Sequence, residues 1–183
     1  MEAERPQGNH DQLTREITAH IGALRRYALV LIADPHEADE LVQECLSRVL
    51  AQMRAWRPVR DLRAYLFATM HNVVIDANRK RRTRANHVPI DDVLATLALP
   101  ASQPRRFEMR ALIQGLAALP EQQREVVLLI GLEGMSYLEA ARVLGVPIGT
   151  VMSRLSRGRE ALRQLMTHGT VARLSVVKAA QSQ

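Results

Sequence analysis

Hydroxyl and guanidinium side chains are concentrated in one short stretch of the sequence, between residues 150 and 159. These groups suit a nucleic acid, because arginine binds guanine edges bidentately and hydroxyls bond base edges or phosphates. The set comprises Thr150, Ser153, Arg154, Ser156, Arg157 and Arg159. A merely solvated helix face would carry the same residue types, so the interpretation depends on the elements that position them.

Two helices joined by a tight turn are predicted to present this set. Ser136 and Glu139 have the S-x-x-E spacing of a capping box, so a helix begins at Tyr137. Gly145 supplies a left-handed C-terminal stop, and Pro147 suits the first turn of a second helix. Helices joined by so few residues form a helix-turn-helix, whose second helix can enter a major groove.

A helical wheel of the second helix separates an apolar face from the polar set. We expect the apolar face to pack against earlier helices; it comprises Ile148, Val151, Leu155, Gly158, Leu162 and Leu165. The hydroxyls and guanidiniums then project into solvent, and DNA docking is the favoured interpretation.

A second polar set lies on a helix of some twenty residues that Asp61 is predicted to cap. Its apolar side is formed by Leu62, Leu66, Met70, Val73 and Ala77. A stripe away from that side comprises Tyr65, Thr69, Asn72, Asp76 and Arg79, and a basic run that includes Lys80 and Arg81 continues to residue 84. An aromatic ring, an amide and a cation on one face suit single-stranded DNA, and the basic run can neutralise phosphates. Trp56, just before this helix, either stacks on a base or belongs to the core.

A third set is acidic and lies on the helix predicted from Asp34, its cap, to about Arg54. Asp39, Glu40, Gln43 and Glu44 are expected on its solvent side, opposite a buried stripe that includes the single cysteine, Cys45. On a chain with a formal net charge of +6, such a patch either aids solubility or meets a cationic partner.

The whole sequence favours an all-α fold of two small helical domains joined by a flexible linker. Hydrophobic residues make up 47% of the 183 residues, which is enough for packed cores, and no strand-like alternation persists. The predicted domains span residues 12–84 and 107–166, with a proline-bearing linker over 85–106 and a tail over 167–183.

Several kinds of site and location are not expected. One cysteine cannot form an internal disulfide or a cysteine-based metal cluster, and the six histidines lack metal-ligand spacing. We find no phosphate-binding loop or hydrolase motif, so neither a cofactor, a metal nor a catalytic residue is predicted. No apolar run could span a bilayer and no signal peptide is visible, so a cytoplasmic location without membrane insertion is the expectation.

Three stretches resemble the extracytoplasmic-function (ECF) group of bacterial sigma factors. Residues 119–163, LPEQQREVVLLIGLEGMSYLEAARVLGVPIGTVMSRLSRGREALR, resemble region 4 of that family. The stretch DPHEADELVQECLSRVL resembles region 2.2, and LRAYLFATMHNVVIDANRKRR resembles regions 2.3 and 2.4. The resemblance covers about residues 20–165. Met152 is a departure, since many relatives carry a basic residue there, and Leu62 stands where relatives often carry Phe.

The resemblance implies a protein without an active site that binds core RNA polymerase, recognises a promoter and helps to open it. By similarity the acidic set docks on the polymerase clamp helices, and the stripe from Tyr65 to Arg79, with the loop before it, binds the melted −10 strand. The helix from Ile148 would read the −35 element. The linker would pass near the polymerase active-site or RNA-exit region, where Asp91 and Asp92 could mimic nucleic-acid charge. An anti-sigma factor is the implied inhibitor.

Three other functions fit parts of the sequence. A stand-alone helix-turn-helix regulator would bind duplex DNA without polymerase, and a gel shift with and without core polymerase separates the two. A nucleic-acid enzyme such as a recombinase would cleave strands. A helical adaptor with a basic end would bind anionic liposomes.

Overall fold

All regular secondary structure in the described part of the chain is helical. The computed structural model describes the backbone of residues 7–54, 61–81 and 103–180, and the side chains of residues 12–53, 61–80 and 111–167. The helices are α1 (Gln7–Ile32), α2 (Pro35–Arg54), α3 (Leu62–Arg81), α4 (Gln103–Ala118), α5 (Glu121–Val127), α6 (Tyr137–Leu144) and α7 (Ile148–Ala180), and a π-helical turn, Leu128–Leu132, follows α5. The predicted all-α class is confirmed.

The predicted helix caps are present as side-chain hydrogen bonds. Asp34 Oδ1 accepts two backbone N–H groups at the start of α2, at 2.9 and 3.0 Å. Asp61 Oδ1 accepts one at the start of α3, at 2.9 Å. Ser136 and Glu139 form both halves of the capping box of α6. Each cap satisfies donors that the helix leaves unpaired, and such caps are worth about 1 kcal/mol.

The first module, α1–α3, surrounds an apolar core to which all three helices contribute. Leu24 of α1, Val49 of α2 and Leu66 of α3 are fully buried. Cys45 is buried with them, as predicted, and its Sγ lies 3.6 Å from the carbonyl oxygen of Leu66. Burial raises the pKa of the Cys45 thiol to about 12, so it is a core side chain without nucleophilic character.

The second module, α4–α7, depends on a close approach between α5 and α7. Gly158 of α7 lies so near α5 that a Cβ placed on it would be 2.8 Å from Val127 Cγ2 and 3.3 Å from Gln123 Cβ. The neighbouring atoms are a stiff β-branched side chain and a helix stem, which cannot move aside easily. A residue without a side chain is therefore required at this crossing.

We expect Gly158→Ala to destabilise the chain by about 1–2 kcal/mol, because overpacking outweighs the better helix propensity of alanine. Gly149→Ala is the matched control on the same helix, since a Cβ there meets nothing within 4 Å. Alanine at that position should be neutral or slightly stabilising. Urea denaturation followed by circular dichroism measures both variants; equal stability of the two would contradict the packing argument.

Helix α3 is buried on two sides, which the sequence analysis did not predict. Beyond its contacts with α1 and α2 it lies against α6 of the second module. Arg63 donates to the carbonyl oxygen of Glu133, and Asn78 Nδ2 donates to Glu121 Oε1 at 2.7 Å. His71, midway between them, is 5% exposed. Phe67 and Val74, on the same stripe, are fully buried.

A buried carboxylate strengthens the polar character of this contact between the modules. Glu133, in the turn before α6, is 9% exposed. Arg26 Nη2 of α1 lies 3.4 Å from both of its carboxylate oxygens. The contact is thus mixed, because these polar groups lie beside the buried Phe67 and Val74, and the apolar residues of both modules form one cluster.

Candidate nucleic-acid interface

Helices α6 and α7 form the predicted helix-turn-helix. Gly145 ends α6 in the left-handed region, with φ of 63°, and the N–H of Val146 donates back to the carbonyl of Ala141 at 3.1 Å. The carbonyl of Pro147 then accepts the N–H of Val151 at 3.2 Å in the first turn of α7. The chain thus changes direction within three residues, 145–147, and this short turn restricts the angle between α6 and α7.

The predicted apolar face of α7, residues 148–165, is buried at Val151, Leu155 and Gly158 and exposed at both of its ends. Val151 and Leu155 are 0% and 3% exposed, and Gly158 is buried, as predicted. The prediction is wrong for Ile148 and Leu165, which are 46% and 43% exposed. The reason is length: α5 and α6 have 7 and 8 residues against the 33 of α7, so they cannot cover both ends of that face.

The six predicted major-groove residues divide into two groups. Ser156, Arg157 and Arg159 are exposed, whereas Thr150, Ser153 and Arg154 are half-buried. Ser153 Oγ donates to the carbonyl oxygen of Thr150 at 3.0 Å, so that hydroxyl remains available to solvent only as an acceptor. The charge of Arg154 opposes the rise in the pKa of Glu125 on α5 and helps to lower the pKa of His71 on α3. Ser156, Arg157 and Arg159 are therefore the members of the predicted set that a DNA groove could reach.

His71 and Glu125 form, together with Tyr27 of α1, a cluster of three buried titratable side chains that joins the modules. His71 Nδ1 of α3 lies 3.2 Å from the hydroxyl of Tyr27 and 3.7 Å from Glu125 Oε1 of α5. Burial raises the pKa of Glu125 to about 7, an effect that Glu121 reinforces and Arg154 opposes. Burial likewise lowers the pKa of His71 and raises that of Tyr27. Below the pKa of Glu125 its carboxyl is mostly protonated, so the buried cluster carries less charge and its burial costs less free energy.

The pKa of Glu125 predicts a pH-dependent stability. Since its folded pKa lies above the ordinary 4.5, the folded chain binds the proton more tightly, and stability falls as pH rises between 4.5 and about 7. Glu125→Gln removes this term, so we expect a flatter stability profile and a gain of about 1–3 kcal/mol at pH 8. His71 is present in both chains, so the difference in unfolding free energy between them, measured from pH 5 to 8, isolates Glu125. Parallel profiles would refute the assignment.

The stripe predicted on α3 is only partly presented to solvent. Asn72, Asp76, Arg79 and Lys80 are exposed, and Asp76 Oδ2 lies 3.7 Å from Arg48 of α2. Tyr65 and Thr69 are half-buried. Tyr65 packs against the core, and Thr69 Oγ1 donates to its carbonyl oxygen at 2.9 Å. Trp56, the side chain of Arg81 and residues 82–84 lie outside the described residues, as do Asp91 and Asp92.

The acidic set on α2 lies at the surface, and two of its members, Asp39 and Glu44, accept hydrogen bonds from arginines. Glu40, Gln43 and Glu44 are exposed; Glu44 accepts from Arg48 at 2.8 Å, and Glu40 lies 3.4 Å from His36. Asp39 is half-buried and accepts twice from Arg25, at 2.5 and 3.1 Å. That hydrogen bonding lowers the pKa of Asp39. Glu40, Gln43 and Glu44 form the part of the set that a partner could reach.

Two functional features escaped the sequence analysis: the cluster of His71 with Glu125, and the second buried side of α3. A weak signal exists for His71, which lies within a largely apolar stretch, residues 66–75. Among the side chains described, no three His, Cys, Asp or Glu residues converge as ligands for a metal ion. None of the described helices has the length and apolar character needed to cross a bilayer.

Comparison with known proteins finds a sigma-domain family model for each module. A family model described as Sigma-70, region 4 matches residues 109–162, and one described as the Sigma2 domain of PhyR matches residues 17–71. The ECF RNA polymerase sigma factor EcfG of Rhodopseudomonas palustris is 35% identical over 85% of this chain and 86% of its own length. SigL of Mycobacterium tuberculosis, another ECF RNA polymerase sigma factor, is 33% identical over 79% and 82%.

A solved structure extends the likeness to three dimensions. The sigma factor RpoE of Bartonella quintana, in complex with the anti-sigma factor NepR, superposes with a TM-score of 0.72 at 28% identity. The match covers 85% of this chain and 97% of that one.

Proposed function

The chain belongs to the ECF group of sigma-70 RNA polymerase sigma factors, and from this membership we propose how its surfaces divide the work of promoter recognition. The exposed residues of α2 bind core polymerase, and the exposed stripe of α3 contacts the melted −10 strand. Helix α7 enters the −35 major groove. The observation that carries the proposal is a helix-turn-helix that exposes Ser156, Arg157 and Arg159 on its second helix.

Chemistry is left to the polymerase in this proposal, so the chain itself is not an enzyme and needs no cofactor. It acts where the polymerase acts, in the bacterial cytoplasm. The chain between α3 and α4 lets the two modules reach separate promoter elements. The predicted linker, residues 85–106, overlaps α4 by four residues, because that helix begins at Gln103. Run-off transcription with purified core polymerase tests the function as a whole: a stand-alone regulator would bind DNA without polymerase and would start no transcript.

An anti-sigma factor is the proposed inhibitor, because the similar RpoE was solved in complex with one. Such a protein would compete with core polymerase for the chain. A competition titration with a candidate inhibitor measures this: its binding should fall as core polymerase is added. Simultaneous binding of both would contradict the proposed competition.

Substitution of Arg157 tests most directly whether α7 contacts base edges in the −35 major groove. We expect Arg157→Ala to weaken promoter binding by the reconstituted holoenzyme by about 1–3 kcal/mol, mostly through one base position. The matched control is Arg163→Ala, which removes the same charge farther along α7, where Arg163 donates to Glu160 at 2.7 and 3.0 Å. A uniform loss across all sequences would instead identify Arg157 as a phosphate contact.

A further inference from the structure

Two large apolar side chains lie uncovered at the N-terminal end of α7. Ile148 is 46% exposed and Met152 is 52% exposed. Residues four apart in a helix are neighbours on its surface, so the two side chains form one small apolar ridge. The rest of the described chain does not cover it, although Val151 and Leu155 of the same helix are buried.

The ridge lies beside the polar groups that the proposed function assigns to DNA. Ser156 and Arg159 continue the same side of the helix, four and seven residues after Met152, and both are exposed. In a helix-turn-helix the N-terminal residues of the second helix contact base edges. The ridge therefore occupies the end of α7 that would enter the groove, and the cations follow it.

A major groove offers such a ridge one apolar partner. Base edges there display hydrogen-bond donors and acceptors, and the C5-methyl group of thymine is the exception. Apolar side chains placed against the polar edges would remove water without replacing its hydrogen bonds, which costs free energy. Contact with a methyl group gains free energy by burying apolar surface on both sides.

We propose that Ile148 and Met152 are specificity-determining residues that contact thymine methyl groups in the −35 duplex. The inference rests on the proposed function of α7 and adds a base type to it. A protein partner fits the site less well, because two side chains are far smaller than a standard protein interface. The exposed Arg159 on the same side of the helix favours a polyanion.

Replacement of thymine by uracil isolates this contact, because uracil lacks only the methyl group. Holoenzyme is reconstituted from the full chain and core polymerase, and a −35 duplex is first selected from a random library with a fixed −10 element. Each thymine in the selected duplex is then replaced singly, and affinities are measured at one salt concentration. We expect a loss of about three- to fourfold at one or two positions, the size of one buried methyl group.

Met152→Gln keeps the side-chain length and removes the apolar end. Met152 is 52% exposed, so the substitution removes little core packing. This variant should bind the thymine and uracil duplexes equally at a position that Met152 reads. Met166→Gln is the matched control: Met166 is also exposed on α7 but lies about 21 Å farther along the helix. It should keep the wild-type preference for thymine.

Two outcomes overturn the inference while leaving the proposed function intact. One is a holoenzyme that binds the selected duplex but tolerates uracil at every position. The other is an identical thymine preference in wild type and Met152→Gln, which would assign the methyl contact to other residues. If the wild-type chain forms no holoenzyme with core polymerase, the proposed function fails first, and the inference falls with it.

Discussion

Reversal of Glu40 and Glu44 to lysine together is expected to weaken binding to core RNA polymerase by at least about a hundredfold, the effect of several kcal/mol of like-charge repulsion. Both carboxylates are exposed on α2, one turn apart. If they face a cationic surface of the polymerase, each reversal replaces an attraction by a repulsion in the same place. Surface plasmon resonance with immobilised core polymerase measures the loss.

The control must separate this surface from the general charge of the chain. Glu16→Lys makes the charge change of one such reversal on the exposed side of α1 and should leave the affinity within about twofold, since single surface charges far from an interface act weakly. Glu44→Lys also loses its partner Arg48, so circular dichroism must show that the helices are intact. Unaltered affinity of a folded double variant would reject α2 as the docking surface.

Phe67→Ala is expected to lower the free energy of unfolding by about 3–5 kcal/mol. Phe67 is fully buried and meets the ring of Tyr27 edge-on, with ring centroids 5.7 Å apart at an interplanar angle of 78°. Alanine would remove that contact and leave a cavity between α1 and α3, where surrounding helices can close only in part. Urea denaturation of the whole chain provides the measurement.

Tyr27→Phe is the companion variant, because it keeps the ring pair and removes only the hydroxyl that lies 3.2 Å from His71. Its expected cost is about 1 kcal/mol, the usual value for one lost hydrogen bond. A loss below about 1 kcal/mol for Phe67→Ala would show that Phe67 is not essential to the packing of α1 on α3.

Local features of the fold could be predicted because their signals lie within a few residues of one another. The caps at Asp34 and Asp61, the reciprocal bonds of Ser136 with Glu139 and the left-handed Gly145 each follow from short-range chemistry. The same holds for the helix-turn-helix, since a turn of three residues leaves the second helix little freedom.

Features set by distant parts of the chain could not be predicted in this way. The second buried side of α3 exists because residues some fifty positions later pack on it, as the contact of His71 with Glu125 shows. The half-burial of Arg154 has the same origin, since its charge acts on Glu125 and His71. The exposure of Ile148 follows from how short α5 and α6 are, which a helical wheel does not consider.

The contact between the two modules limits how the chain can engage a promoter. Elements centred at −35 and −10 are roughly 25 base pairs apart, or about 85 Å of duplex. In this structure His71 and Glu125, one from each module, are 3.7 Å apart. If α3 contacts the −10 strand and α7 the −35 duplex, as proposed, this contact must open for both elements to be bound at once. Every 1 kcal/mol that favours the closed population would reduce the apparent promoter affinity about fivefold, so the polymerase must supply the work of extension through its own differential binding.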